Sequence, residues 1–528
     1  MALTLPIGIQ LVIFLLPLMM LAPGLLGWLV GVPPRMVFAI GRGAAAGVLL
    51  VSVVAAIGVF STQSAWVSPT LTIGGLAFSA RLDALSVSLL LLVAFLGLVL
   101  IQFSRNYLDG DPRQGIFLSG LYLTLGTVMV FVLAGTVWQL LLGWVLTSLA
   151  LHQLLVFYAD RPRAVRAAQK KFIVARLGDV CFLIAAILLV QAFGTADLRD
   201  MATAARTAAS GTVSAGAGTA AILVVLAAAL KSAMFPVHGW LLEVMETPTP
   251  VSALLHAGLL NAGTYLVVRL GDVVFLSTPA VVLLILIGGF TALFASAAMI
   301  TQTSVKVSLA YSSAAHMGFM LMLCGFGAHS VAIMHLVAHS CYKAHAFLSS
   351  GSYVDYVQNT GSQKVNNAPG PLNVLVNFGI AFSLFVVVGT ALGIDLTKRP
   401  GETALGAIFV MAVTHLLIKG SVGMAPWWVM ARTALSAVGV TLAFFALELT
   451  AAYLLGDVVA AFPTPNAAIV VTMWSAVVAF AVVTLLGSLL PAYMHTRVGR
   501  AVYVHLKYGF YANAWFDRFL ASSSRGTP

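Results

Sequence analysis

About fifteen apolar stretches follow one another along this chain, each roughly 20 residues long and therefore long enough to cross a bilayer as a helix. The 528 residues are 61% hydrophobic and only 8% charged, whereas soluble domains carry about 25% charged residues. One globular core cannot bury that much apolar surface, so lipid must solvate much of it. The pattern predicts an all-α, polytopic transmembrane helical bundle of about 13–15 helices. The stretches lie near 8–30, 36–60, 82–103, 115–134, 136–157, 171–193, 219–243, 249–270, 276–300, 304–325, 330–351, 372–393, 403–424, 433–456 and 467–491.

The distribution of basic residues predicts the orientation of the chain. The net charge is +11, and the connector near 158–171 carries five bases whereas the 61–80 connector carries none. By the positive-inside rule, this asymmetry predicts a periplasmic N-terminus and a cytoplasmic C-terminus. The 194–218 connector is rich in Ala, Gly, Ser and Thr and is expected to be a flexible outer loop. The aromatic and basic tail at 492–528 is expected to lie in the membrane interface as an amphipathic helix.

The first candidate for ion handling is Lys231, in the run AALKSAMFPVHGWLLEV. An ionisable group inside a span costs at least about 2.5 kcal/mol, so it needs a functional or structural reason. Pro236 follows five residues later and is expected to break the helix at mid-membrane, beside a protein cavity or water. A lysine next to a broken helix is typical of ion sites in transporters. The alternatives are a snorkelling lysine and a single structural ion pair.

Histidines provide the next candidates. His256, in TPTPVSALLHAG, can relay protons because histidine titrates near neutrality; the alternative is a histidine that only packs. The run HLVAHSCYKAHAF spaces His335, His339 and Lys343 at i, i+4 and i+8, which places them on one helical face, with His345 close by. Such a stripe suits a hydrated proton path. The alternatives are a polar contact between helices and a zinc site, and zinc is disfavoured because no acidic ligand is nearby.

Other ionisable residues in the predicted spans are weaker candidates for the same path. Lys306 lies near one end of its span, and His415 and Lys419 are spaced i, i+4 in another. Arg176 and Asp179 are three residues apart and are expected to form a supporting ion pair. The three cysteines are far apart and have no metal-type spacing, so no metal site is expected in this chain.

Several of these motifs resemble the antiporter-like subunits of respiratory complex I and of multi-subunit sodium/proton antiporters. The resemblance covers about residues 80–360 and is carried by DALSVSLLLLVAFLGLVLIQFSRNYLDGD, KKFIVARLGDVCF, KSAMFPVHGWLLEVMETPTPVSALLHAG, SVKVSLAYSSAAHMGF and HLVAHSCYKAHAFLSSGS. It implies antiporter-like inverted repeats with broken helices, and it makes Lys231 the channel lysine of the broken seventh helix. The resemblance also assigns five further residues to the polar axis of the family: His256, Lys306, His335, His339 and Lys343.

The same resemblance implies a division into N-terminal transmembrane helices (1–110), a first half-channel (111–275), a second half (276–430), and C-terminal helices with a basic cytoplasmic tail (431–528).

The chain departs from the usual family pattern at two positions, and these departures point to one group within the family. The family usually has a GWE motif in its fifth helix, whose glutamate pairs with the channel lysine, but Val145 stands at that position in LLGWVLTSLALH. The twelfth helix of the family carries a buried lysine, whereas 372–393 has none and only Lys398 and Lys419 follow it. With these departures the chain looks more like the DabB-type membrane subunit of the two-component inorganic-carbon accumulation complex.

That resemblance implies a function in the bacterial inner membrane. The partner in that family is a large, soluble, zinc-containing subunit similar to β-carbonic anhydrases (DabA type), expected on the cytoplasmic face. Cation flow, expected to be H⁺, would drive one-way hydration of CO2 to bicarbonate in the partner. The chain itself is then expected to be no enzyme and to hold no cofactor, with the zinc in the partner, and no nucleic acid is expected to bind.

Two alternatives stay open. The chain could be a proton- or sodium-translocating subunit of a complex I-like dehydrogenase or a multi-subunit cation/proton antiporter, which predicts redox or antiport subunits as partners. It could instead be a membrane anchor whose polar groups are relics, in which case substitutions of Lys231 or His339 would have no effect.

Overall fold

The computed structural model describes residues 7–74, 76–209, 213–351, 370–394, 400–421, 426–456, 458–493 and 496–524. Lys398 lies outside these ranges. In chain order, the described α-helices are α1 (Ile7–Leu29), α2 (Pro34–Thr62), α3 (Ala84–Tyr107), α4 (Gln114–Val132), α5 (Val137–Leu155), α6 (Pro162–Phe193), α7 (Leu198–Ala208), α8 (Ala215–Lys231), α9 (Gly239–Glu243), α10 (Thr249–Ala257), α11 (Ala262–Arg269), α12 (Gly271–Val274), α13 (Thr278–Ile300), α14 (Val305–Gly325), α15 (His329–Leu348), α16 (Pro371–Ala391), α17 (Pro400–Ser421), α18 (Trp427–Leu455), α19 (Ala467–Tyr493), α20 (Arg497–Lys507) and α21 (Ala512–Ser524).

The helices confirm the predicted polytopic bundle. Twelve spans in the described ranges are long and apolar enough to cross a membrane, and the shorter apolar segments Ile13–Leu29 and Ala215–Lys231 add to them. On α2, Leu50, Val54 and Ile57 are 66%, 60% and 66% exposed, as expected for a surface that lipid solvates. The chain is a multi-pass membrane protein.

Two short antiparallel sheets lie between α2 and α3, and a buried ion cluster forms at the start of α3. Strands β1 (Trp66–Val67) and β4 (Arg81–Leu82) pair, as do β2 (Leu71–Ile73) and β3 (Leu76–Phe78). Asp83 then caps α3, since its carboxylate accepts a hydrogen bond from the Ser86 amide at 2.9 Å. The same carboxylate binds Arg269 through contacts of 2.6 and 3.0 Å, and Arg81 at 2.8 Å. The ion cluster therefore ties the start of α3 to the end of α11.

The prediction of a flexible loop at 194–218 is wrong, because the connector contains α7. Asp197 caps this helix by accepting hydrogen bonds from the amides of Arg199 and Asp200, and the alanines that follow are strong helix formers. Arg206 on α7 then pairs with Asp272 at 2.9 Å. The tail forms α20 and α21, but the prediction that it lies in the interface stays a prediction.

The chain forms two compact units. The first comprises Met1–Ala280, His335–Ser350 and Asp457–Ala460. In this unit α1 packs on α4, α2 on α3, and α6 on α8. The helices α4 and α5 approach closely because Gly143 has no side chain; a Cβ there would lie 2.6 Å from Phe131 Cα.

The second unit comprises Val281–Met334, Gly351–Gly456 and Ala461–Pro528. Gly288 on α13 and Gly318 on α14 lie against each other's backbone, the small-residue contact typical of membrane helices. An apolar core joins α16, α17 and α18 through residues that include Phe385, Val413 and Phe445. The four-part division expected from the sequence stays a prediction.

Candidate ion-conducting site

The break after α8 positions Lys231 at the end of a buried helix. Pro236 has no amide hydrogen, and its ring would clash with the carbonyl four residues earlier, so the helix cannot continue through it. The chain leaves the helix just after Lys231, and Ala233 adopts a left-handed conformation with φ of 53°. Residues 232–238 are non-helical, and α9 begins at Gly239. The predicted break is therefore present next to the lysine.

A neutral group contacts Lys231 in place of the family glutamate. Lys231 Nζ donates a hydrogen bond to the backbone carbonyl of Trp144 at 3.1 Å and lies 4.3 Å from the centroid of the Trp144 ring. Val145 is the next residue on α5. Lys231 interacts electrostatically with Asp179 and Arg176, and it forms no salt bridge within the described part of the chain. The ammonium is thus held by a carbonyl and an aromatic face.

The Arg176–Asp179 pair lies on α6 at the level of Lys231. Arg176 Nη2 and Asp179 Oδ2 are 2.6 Å apart. The neighbouring Gly178 packs against the last turn of α8, since a Cβ there would lie 3.5 Å from Leu230 Cβ. The Arg176–Asp179 pair therefore lies near the end of α8, where its charges interact with that of Lys231. Its role in supporting the path stays a prediction.

Lys231 lines two cavities. One has a volume of about 50 Å³, and its lining includes Lys231, Thr147, Asn261 and Tyr265. The other has a volume of about 20 Å³ and is lined by Lys231 and Thr147 together with Lys171 and other residues. Roughly 10–15 Å³ is needed for one water molecule, so both cavities have room for water. Lys231 and Thr147 thus line both cavities, and the amine of Lys231 is a titratable group that the two spaces share.

A second helix break follows His256. The helix α10 ends at Ala257, a 3₁₀ turn covers Leu259–Asn261, and α11 begins at Ala262. His256 is fully buried, and its ring stacks on that of Phe347 with centroids 4.3 Å apart. Neither ring nitrogen has a hydrogen-bond partner within the described residues. His256 interacts electrostatically with Lys343, which links the broken helix to α15.

The stripe on α15 forms as the spacing predicts. The rings of His335 and His339 stack with centroids 6.3 Å apart, and the side chains of His339 and Lys343 are buried. His345, by contrast, is exposed. Next to the stripe, Asn261 Nδ2 donates a hydrogen bond of 2.8 Å to Ser340 Oγ. This bond joins the second helix break to α15 beside His339.

The remaining predicted residues lie in the second compact unit. Lys306 is half-buried at the beginning of α14. His415 is half-buried on α17 and interacts electrostatically with Lys419, whose side chain is exposed. Their part in an ion path stays a prediction. Within the described ranges, no group of three or more His, Cys, Asp or Glu side chains is arranged to hold a metal ion.

The structure adds buried ionisable groups that sequence reasoning missed. The helix α6 begins at Pro162 rather than near 171, so Lys170 and Lys171 belong to the helix and not to a solvated connector. Both lysines are buried. Pro162 is the sequence feature that indicates this earlier start of α6, because proline favours the first turn of a helix. His238 and His329 are also buried.

Close packing around the first break provides a test of this geometry. Replacing Gly263 by alanine is expected to destabilise the protein by about 1–3 kcal/mol, because the new Cβ would overlap Ser232 Oγ and lie 2.5 Å from the Ala228 carbonyl. Thermal unfolding of the purified chain in detergent measures the effect. Gly218→Ala on the same α8 is the matched control, since nothing lies within 4 Å of that position. Equal melting temperatures for the two variants would contradict the packing described.

A half-buried lysine at a helix break, beside two cavities and a histidine–lysine stripe, is typical of ion-translocating membrane subunits. Residues 134–397 match the family model "NADH:quinone oxidoreductase/Mrp antiporter, TM", and residues 70–118 match "NADH-Ubiquinone oxidoreductase (complex I), chain 5 N-terminus".

Comparison with known proteins identifies the family. The chain is 36% identical over 448 residues to the "Probable inorganic carbon transporter subunit DabB2" of Halothiobacillus neapolitanus, covering 84% of this chain and 80% of the relative. It is 39% identical over 336 residues to the "Probable inorganic carbon transporter subunit DabB" of Hydrogenovibrio crunogenus, covering 63% of each. The chain therefore belongs to the complex I/Mrp family of antiporter-like membrane subunits, in its DabB-type group.

A solved structure supports the same fold. In the structure of the Mrp complex from Dietzia sp. DQ12-45-1b, one chain matches with a TM-score of 0.63 at 21% identity. The match covers 97% of this chain and 60% of the Mrp chain.

Proposed function

We propose that this chain conducts H⁺ through the membrane for an inorganic-carbon accumulating complex. In this proposal, H⁺ flow down its gradient energises hydration of CO2 to bicarbonate in a large, soluble, zinc-containing, β-carbonic-anhydrase-like subunit of the DabA type. The partner binds the cytoplasmic face, and the chain itself performs no catalysis and holds no cofactor. The chain lies in the bacterial inner membrane with its N-terminus in the periplasm and its C-terminus in the cytoplasm.

The observation that carries the proposal is the environment of Lys231. The lysine ends a broken helix, contacts a neutral carbonyl, and faces two cavities with room for water. These features support proton exchange at mid-membrane. The names of the relatives described above support inorganic carbon as the species that the complex accumulates.

The second candidate function is proton or sodium translocation in a complex I-like dehydrogenase or a multi-subunit cation/proton antiporter. The family model and the Mrp-like fold favour it. Val145 argues against it, because an acidic partner for the channel lysine is expected in those subunits and none forms a salt bridge with Lys231 within the described residues.

Purification of the tagged chain from its own cells in mild detergent tests the proposal. We expect a large soluble protein to co-purify and to bring zinc in a fixed ratio to the membrane chain, as measured by mass spectrometry and elemental analysis. Cells that lack carbonic anhydrase should then accumulate bicarbonate when they express both proteins. Co-purification with redox or antiporter subunits, without zinc, would overturn the proposal in favour of the second candidate.

A further inference from the structure

Lys171 on α6 is a buried lysine that lines the same cavity as Lys231 at the first break. Its Nζ donates hydrogen bonds to the Ser148 carbonyl at 2.7 Å and to Ser148 Oγ at 2.9 Å. Its side chain is buried, and no salt bridge to it forms within the described residues. A buried ammonium with only neutral acceptors is costly, so a structural role alone is a poor explanation for it.

The neighbouring lysine provides a direct contrast. Lys170 is equally buried, but its Nζ contacts both oxygens of Glu243 at 2.7 Å, which is the arrangement that stabilises a buried charge. Lys170 is not among the residues that line the cavities at Lys231. Two adjacent lysines on one helix therefore have different surroundings, one in an ion pair and one beside a cavity.

Lys171 and Lys231 line one cavity. This space of about 20 Å³ lies among α5, α6, α8, α9 and α10 and has room for one water molecule. The charged and titratable groups that interact with Lys171 are Lys231 on α8, Arg176 and Asp179 on its own helix, and His152 on α5. A single water can bridge two amines that are too far apart for a direct hydrogen bond.

We infer that Lys171 is a proton-relay residue that exchanges protons with Lys231 through the cavity that both lysines line. This inference rests on the proposed function and adds the residue that connects Lys231 to the N-terminal half of α6. In the relay step, one N–H bond of the Lys171 ammonium breaks and its proton passes to the intervening water. A proton of that water forms a new N–H bond on the Lys231 amine, so charge and atoms balance. The return step reverses this order.

The test measures H⁺ flux into proteoliposomes that contain the purified complex, with a potassium diffusion potential as the driving force and a pH-sensitive dye as the reporter. Lys171→Ala is expected to lower the flux by roughly 100-fold, the scale of a positioned proton-transfer group. Lys171→Arg keeps the charge but holds its proton, so it should lose flux as well. Propylamine added to Lys171→Ala should restore part of the flux.

The matched control is the double variant Lys170→Gln/Glu243→Gln, which removes the neighbouring ion pair without leaving a buried charge alone. It should conduct like the unaltered complex. Wild-type flux in Lys171→Arg, or in a folded Lys171→Ala, would overturn the inference. Should Lys171→Ala fail to fold, as judged by size-exclusion chromatography, Lys171→Arg decides the question alone.

Lys231→Ala, measured in parallel, separates the two proposals. Loss of flux in Lys231→Ala with full flux in the Lys171 variants would overturn the relay and leave the proposed function intact. Full flux in both would overturn the proposed function and the relay with it. Loss in both, with the control unaffected, is the expected result.

Discussion

Replacing Lys231 by alanine is expected to abolish bicarbonate accumulation, with a loss of roughly 100-fold or more, while the chain still assembles in the membrane. The reason is that Lys231 lines both cavities at the first break and presents a titratable amine to them. The measurement is uptake of labelled inorganic carbon by cells that lack carbonic anhydrase. Membrane levels of the chain and co-purification of its partner establish that assembly is unchanged.

The Lys231→Arg variant distinguishes proton exchange from a purely electrostatic role. Arginine keeps the positive charge and the aromatic contact with Trp144 but does not lose its proton in proteins. We therefore expect Lys231→Arg to assemble and to remain inactive. Arg199→Ala, which changes an exposed base on α7, is the control and should accumulate bicarbonate normally. Uptake at the normal rate in a well-expressed Lys231→Ala strain would favour a membrane anchor with relic polar groups.

The contact between Lys231 and Trp144 shows which groups bind this lysine where the family has a glutamate. A carboxylate would add the attraction of a full negative charge to its hydrogen bond with the ammonium. Here a backbone carbonyl at 3.1 Å and an indole ring take that place. The acidic group that interacts electrostatically with Lys231 is Asp179, which is itself paired with Arg176. The site therefore holds its lysine mainly through neutral groups.

Local sequence signals predicted much of this arrangement. Apolar length predicted the membrane spans, Pro236 predicted the break after Lys231, and the i, i+4, i+8 spacing predicted the face shared by His335, His339 and Lys343. Each of these features depends on residues close in sequence, where helix geometry and proline chemistry act directly.

The features that the sequence did not reveal depend on distant residues or on the backbone. Trp144 binds Lys231 through its backbone carbonyl. Every residue has such a carbonyl, so the residue type does not indicate which one accepts the hydrogen bond. Lys171 resembled a connector base that marks the cytoplasmic side, and only the early start of α6 buries it. Asp83 and Arg269 are 186 residues apart, so no local pattern indicates their contact.

The contact between Asp83 and Arg269 leads to the second prediction with a large effect. Asp83→Asn should lower the stability of the chain by about 3–5 kcal/mol, because it leaves the buried guanidinium of Arg269 without a carboxylate. Asparagine can still cap α3, so the change removes the charge and keeps the cap. The melting temperature of the purified chain in detergent measures the loss. Asp197→Asn is the matched control, since Asp197 caps α7 without forming a salt bridge in the described structure, and its melting temperature should hardly change.

The pH dependence of stability provides an independent check on Asp83. Burial alone would raise the pKa of Asp83, but Arg269 and Arg81 outweigh it and hold that pKa below its usual value. A lowered pKa in the folded state stabilises the protein above the unfolded value of about 4, and this stability is lost as the pH falls towards the folded value. The unaltered chain should therefore lose melting temperature on acidification below about pH 4 more steeply than Asp83→Asn. Parallel curves for the two proteins would mean that the carboxylate of Asp83 does not stabilise the ion cluster.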